Sequence, residues 1–102
     1  MELKPGSRWK SAVCSAEIVV VRPANGDVTL ECGGAPMVAL GGAAPEGLSL
    51  SPDHAEGVGI GKRYVDAETG LEALGSKAGQ GSLSLDGRPL TLKDAKPLPS
   101  SD

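Results

Sequence analysis

Hydrophobic and polar residues alternate along this chain in short runs cut by glycine and proline, a pattern that predicts strands. Residues 17–22 (EIVVVR) are rich in β-branched side chains, and residues 28–31 (VTLE) alternate apolar with polar, so both read as strands. The intervening 23–27 (PANGD) holds Asn25-Gly26, a pair that accepts positive φ, and predicts a hairpin. Cys14 precedes the first of these strands and Cys32 follows the second, so the hairpin is expected to carry the two thiols to one end. Further on, 82–85 (SLSL) and 89–92 (PLTL) alternate cleanly around Asp86-Gly87, predicting a second hairpin. Residues 71–77 read as strand rather than helix, because Gly75 and the glycines at 70, 79 and 81 disfavour a helix. Residues 48–50 (LSL) have the alternation of a short strand within an otherwise aperiodic stretch.

The predicted fold class is all-β: a small, hairpin-rich domain of two β lobes, 1–40 and 61–95, joined by a Gly/Pro-rich connector at 41–60 and followed by a loose tail at 96–102. Fifteen glycines and eight prolines suit short strands and turns. Phenylalanine is absent and Trp9 and Tyr64 are the sole aromatic residues, so Val, Leu, Ile and Ala must supply the core. A core of that kind in 102 residues implies modest stability and a surface that meets a partner, either another protein or a second copy. The net charge of −3, with Lys and Arg scattered, argues against nucleic acid and acidic membranes as partners. Residues 1–6 lack the apolar core of a signal peptide and no apolar run reaches membrane-spanning length, so the expected location is cytoplasmic. In that compartment two cysteines are expected to be reduced thiols, metal ligands or a redox pair.

The two halves also resemble one another. Sliding by 55 positions places Gly6 on Gly61, Arg8 on Arg63, Trp9 on Tyr64, Glu17 on Glu72 and Arg22 on Lys77. Past the loop at 23–27 the offset becomes 53, and Leu30 meets Leu83, Gly34 meets Gly87, Pro36 meets Pro89 and Met37 meets Leu90. The change falls in a loop, where insertions are cheapest, as expected of a degenerate internal duplication.

With Trp9, Cys14, Leu30, Cys32, Gly34 and Met37 at these spacings, the first half resembles desulforedoxin and the N-terminal domain of desulfoferrodoxin. Ser11 stands at that family's first cysteine position, Ser15 at the following glycine and Gly33 at its fourth cysteine. In the second half Tyr64 takes the aromatic position, Asp66 and Thr69 the first cysteine pair, Gly70 the glycine, Leu83 the leucine, Leu85 and Asp86 the second pair, and Gly87 and Leu90 the close. The resemblance implies a small β fold with Cys14 and Cys32 beside a former iron site. Four thiolates are needed for such a centre and two are present, so its one-electron chemistry is not expected to carry over. Superoxide reduction, which in that family belongs to a separate histidine-rich domain, is not expected either.

Cys14 and Cys32 are the candidate metal ligands, with His54 a weaker third; iron, zinc or copper held through two thiolates are the cofactors to consider. A symmetric dimer is a further way to assemble four thiolates. As a bland alternative, the cysteines fill a core or staple it, and His54, between Asp53 and Ala55, is a solvated loop residue. Gly57-Val58-Gly59-Ile60-Gly61 has phosphate-loop spacing without the Lys-Ser/Thr such a loop needs, and reads as a flexible entry to the second half. Asp66 and Glu68 read as a solvated edge. No serine pairs with a base and an orienting group, so no catalytic residue and no cofactor-binding residue is assigned and the chain leans away from an enzyme. Two functions stand: a non-enzymatic binding or accessory protein on a degenerate desulforedoxin-like fold, and a thiol-dependent metal or redox protein acting through Cys14 and Cys32.

Overall fold

The computed structural model describes residues 3–45 and 47–93. The tail expected at 96–102 lies outside these residues, as do positions 94 and 95 of the second half. The protein is all-β, and the described residues form ten short strands in two antiparallel sheets. In chain order they are β1 (Arg8–Lys10), β2 (Glu17–Arg22), β3 (Leu30–Cys32), β4 (Ala35–Pro36), β5 (Val38–Ala39), β6 (Arg63–Val65), β7 (Glu72–Lys77), β8 (Leu83–Leu85), β9 (Arg88–Pro89) and β10 (Thr91–Leu92). One sheet runs β10-β6-β7-β2-β1-β5 and the other β4-β3-β8-β9.

Residues 17–22 form a strand as their β-branched composition predicts, and 71–77 is strand, not helix. The first hairpin is not formed. β2 lies between β1 and β7, so both of its hydrogen-bonding edges are taken, while β3 pairs with β4 and β8 in the other sheet. Pro23, with no N–H to give, follows β2 where the chain crosses from one sheet to the other. The second hairpin forms at its turn only: β8 and β9 pair across Asp86 (φ 50°) and Gly87 (φ 83°), but the expected strand 89–92 divides, with Thr91–Leu92 pairing with β6 in the other sheet. The matching turn between β3 and β4 is Gly33 (φ 68°) and Gly34 (φ 87°). Two successive positive φ angles give the turn whose twist suits a tight hairpin. Residues 48–50 are not a strand; Leu50 instead lies over the Cα atoms of Gly33 and Gly81.

The order of each sheet is unchanged when the two halves are exchanged. The register follows the sequence offsets: Trp9 pairs with Ile18 as Tyr64 does with Ala73, and Glu31 pairs with Pro36 as Ser84 does with Pro89. Turn bonds repeat as well, Ser11 N–H to the Ala16 carbonyl and Asp66 N–H to the Leu71 carbonyl. Where β2 meets β7, Val19 faces its own counterpart Leu74; where β3 meets β8, Glu31 faces its counterpart Ser84. A pseudo-twofold relation therefore runs through both sheets, and the halves are joined along β2/β7 and β3/β8. Ile18, Val20 and Ala73 from one sheet and Leu30, Cys32, Leu83 and Leu85 from the other belong to a single buried cluster. Each fully buried Leu or Ile there contributes roughly 1.5–3 kcal/mol by leaving water.

The connector is not a free linker throughout. Val58 is buried, and its N–H and carbonyl exchange bonds with Gly79, so the expected flexible entry at 57–61 is pinned to the second half. No helix among the described residues is long and apolar enough to cross a membrane.

Candidate functional site

The cysteines meet, although not through a hairpin. Cys14 lies in the short turn between β1 and β2, and Cys32 ends β3 in the opposite sheet. Their Sγ atoms are 3.9 Å apart, with Cys14 half-buried and Cys32 fully buried. The Ser11 hydroxyl shapes the turn by accepting bonds from the Val13 and Cys14 N–H groups, both 3.1 Å. From the second half the Gly81 N–H donates to Cys14 Sγ at 3.4 Å.

These surroundings separate the two thiols. Burial alone would raise the Cys14 pKa, but bonds from Ser11, the Ala16 and Gly81 backbone and Cys32 outweigh it and hold the thiol below its ordinary value. Cys32 is pushed up to about 12, first by burial and then by the neighbouring Cys14 charge. Of the two thiols, Cys14 gives up its proton first as pH rises, and Cys32 is the one that holds its proton longest.

The four-thiolate iron centre implied by the desulforedoxin resemblance does not fit these residues. Ser11 uses its oxygen on two backbone N–H groups. At Gly33, the fourth position, an added Cβ would sit 2.6 Å from both Leu50 Cδ1 and Val13 Cγ2, so a ligating side chain there would have to displace both and hold a left-handed backbone. His54 ends a 3-10 turn at Pro52–His54 capped by Ser51 and borders a cavity that the cysteines do not line. Among the described residues, no group of three or more His, Cys, Asp or Glu side chains is arranged to hold a metal ion.

The matching place in the second half carries different chemistry. Asp66 stands where Ser11 does, Thr69 where Cys14 does and Leu85 where Cys32 does. Asp66 is buried and accepts bonds from Arg88 Nη2 at 2.8 Å, Thr69 Oγ1 at 2.7 Å and Thr69 N–H at 3.2 Å. It is therefore not the solvated edge residue its sequence context suggests, although Glu68 is exposed. Arg88 beside it holds the Asp66 carboxyl below the usual range, with help from Thr69 and against burial. Nearby, buried Glu72 pairs with Arg63 at 3.0 Å and Lys93 at 3.2 Å. Burial would raise its pKa, and the two cations more than reverse that.

The aromatic residues mark a second difference. Trp9 packs against the core with its Nε1 donating to Ser7 Oγ at 3.0 Å. Tyr64, its counterpart, is smaller, and its hydroxyl accepts from the Gly59 N–H at 2.9 Å. On that side lies an open cavity of about 510 Å³, with Tyr64, Val58, Leu83 and Leu90 along its wall and Asp53, Glu56 and Lys62 among its polar residues. Only the substitution of Tyr for Trp at matched positions hinted at this space in the sequence. The importance of Gly81 and Arg88 had no local signal at all.

The chain matches no protein-family model, no curated protein and no solved structure.

Proposed function

We propose that this domain is a non-enzymatic binding or accessory module whose ligand is a protein segment that inserts an apolar side chain into the cavity beside Tyr64. The cavity carries this reading. Its volume falls in the usual range for binding pockets, and its lining combines apolar Val58, Leu83 and Leu90 with charged Asp53, Glu56 and Lys62, so it offers an apolar side chain both contact and polar neighbours. Exposed Leu92, on edge strand β10, borders the same cavity and extends the apolar surface to the sheet edge. The relation to desulforedoxin belongs to this proposal and rests on motif spacing and on the repeated register of the two halves.

The test selects peptides from a displayed library on the wild-type protein and measures their affinity for Leu92→Glu and Leu40→Glu. Both leucines are exposed, so both variants should fold, but Leu40 does not border the cavity. Selected peptides should lose about tenfold or more in affinity for Leu92→Glu, equivalent to ~1.4 kcal/mol, and bind Leu40→Glu normally. Equal binding to all three proteins would remove the cavity from the function.

A further inference from the structure

We propose that Cys14 and Cys32 form a reversible dithiol–disulfide couple that exchanges with small-molecule disulfides through Cys14. The inference is independent of the cavity and stands on how the two sulfurs are placed. At 3.9 Å they are in contact and unbonded, and a disulfide requires them to close to about 2.05 Å. Cys14 sits on a short surface turn that can supply the movement by rotating its side chain, while Cys32 is fixed on a central strand with no exposed surface. The Gly81 N–H donates to Cys14 Sγ, so a backbone donor from the second half supports charge on the outer sulfur. A small disulfide arriving from solvent can reach Cys14 alone.

The chemistry balances in two displacements. The Cys14 thiolate attacks one sulfur of the incoming disulfide; a Cys14–sulfur bond forms, the disulfide bond breaks, and one thiolate leaves and takes a proton from water. Cys32 then gives its proton to solvent and attacks Cys14 Sγ, forming the protein disulfide and expelling the second thiolate. Two electrons pass from the protein sulfurs to the small disulfide, which becomes two thiols. The reverse sequence, driven by excess thiol, restores the pair. Burial of Cys32 disfavours its thiolate and slows the second displacement, while the closeness of the two sulfurs favours it. The second half cannot take part, because Thr69 and Leu85 stand at the matching positions.

The test incubates reduced full-length protein in buffers of reduced and oxidised glutathione, quenches with acid and reads the intact mass. Wild type should pass through a glutathione adduct and end about two mass units lighter, the loss of two hydrogens, and excess reduced glutathione should reverse this. Cys32→Ala should stop at the adduct, and Cys14→Ser should react at least about tenfold more slowly than wild type. Brief alkylation of native wild type followed by peptide mapping, which depends on no variant folding, should label Cys14 and spare Cys32. Three results would overturn the proposal: a wild-type mass unchanged in every buffer, a wild type that stops at the adduct, or labelling of Cys32 as fast as Cys14.

Discussion

Gly33 shows how one residue decides what the site can be. Motif spacing puts it at a cysteine position, and its turn with Gly34 puts it in a left-handed conformation with Val13 and Leu50 against its α-carbon. Gly33→Ala should therefore lose about 2–4 kcal/mol, combining left-handed strain with overpacking. Gly87→Ala, with a similar φ and no atom within 4 Å of an added Cβ, should lose about 1–2 kcal/mol from strain alone. Urea denaturation of the two variants checks the difference, and equal losses would mean that Val13 and Leu50 yield freely. The closeness of the two thiols was expected, but through a hairpin that does not form; they meet because the β1–β2 turn of one sheet lies against the end of β3 in the other. The Arg88 clamp on Asp66 was not expected, since it joins β9 of one sheet to the end of β6 in the other, and their approach depends on how the sheets pack.

Among the elements, the seam between β2 and β7 holds the halves together, and its symmetry is broken where packing demands it. Val20 on β2 corresponds to Gly75 on β7, and an added Cβ at Gly75 would run into the Gly59 carbonyl oxygen. Gly75→Val, which would restore the repeat in sequence, should destabilise the protein by about 1–3 kcal/mol and raise amide exchange along β7. Thermal unfolding with hydrogen exchange measures both, and an unchanged or raised melting temperature would count against the seam as described. The strands β2 and β8 were legible from β-branching and alternation and β7 from the glycines that disfavour a helix, whereas the short strands β1, β4, β5 and β6 had no pattern long enough to mark them. Strand partners were not legible: the pattern of 17–31 suits a hairpin as well as a crossing between sheets, and the edges of β2 are claimed by strands on either side of it in space.

For the whole molecule, two buried carboxylates tie the fold to pH. Asp66 and Glu72 are held below their ordinary pKa values by Arg88, Lys93 and Arg63, so the folded state binds protons less readily there than the unfolded chain. The stabilisation is complete above the ordinary carboxylate range and is lost as pH falls through that range towards the folded values. The urea midpoint should stay level from neutral pH to about pH 5 and decline below about pH 4. Asp66→Asn combined with Glu72→Gln should flatten that decline and lower stability at neutral pH by about 1–3 kcal/mol. An acid decline as steep in the double variant as in wild type would place its origin elsewhere.

By itself the sequence determined the strand content, the turn at Asp86-Gly87, the matched spacing of the two halves and the absence of a cysteine quartet. These follow from local terms: side-chain period, backbone freedom and residue identity, all carried by a few consecutive positions. Tertiary structure decided that the halves share both sheets, that Cys14 is half-buried and Cys32 fully buried, that Gly33 is crowded by Val13 and Leu50, and that a cavity opens beside Tyr64. Each depends on the register of strands remote in sequence, such as Cys32 opposite Leu83. A shift of one residue would turn the side chains of a strand to the opposite face, so burial, exposure and the distance between two sulfurs are fixed only when the sheets pair and pack.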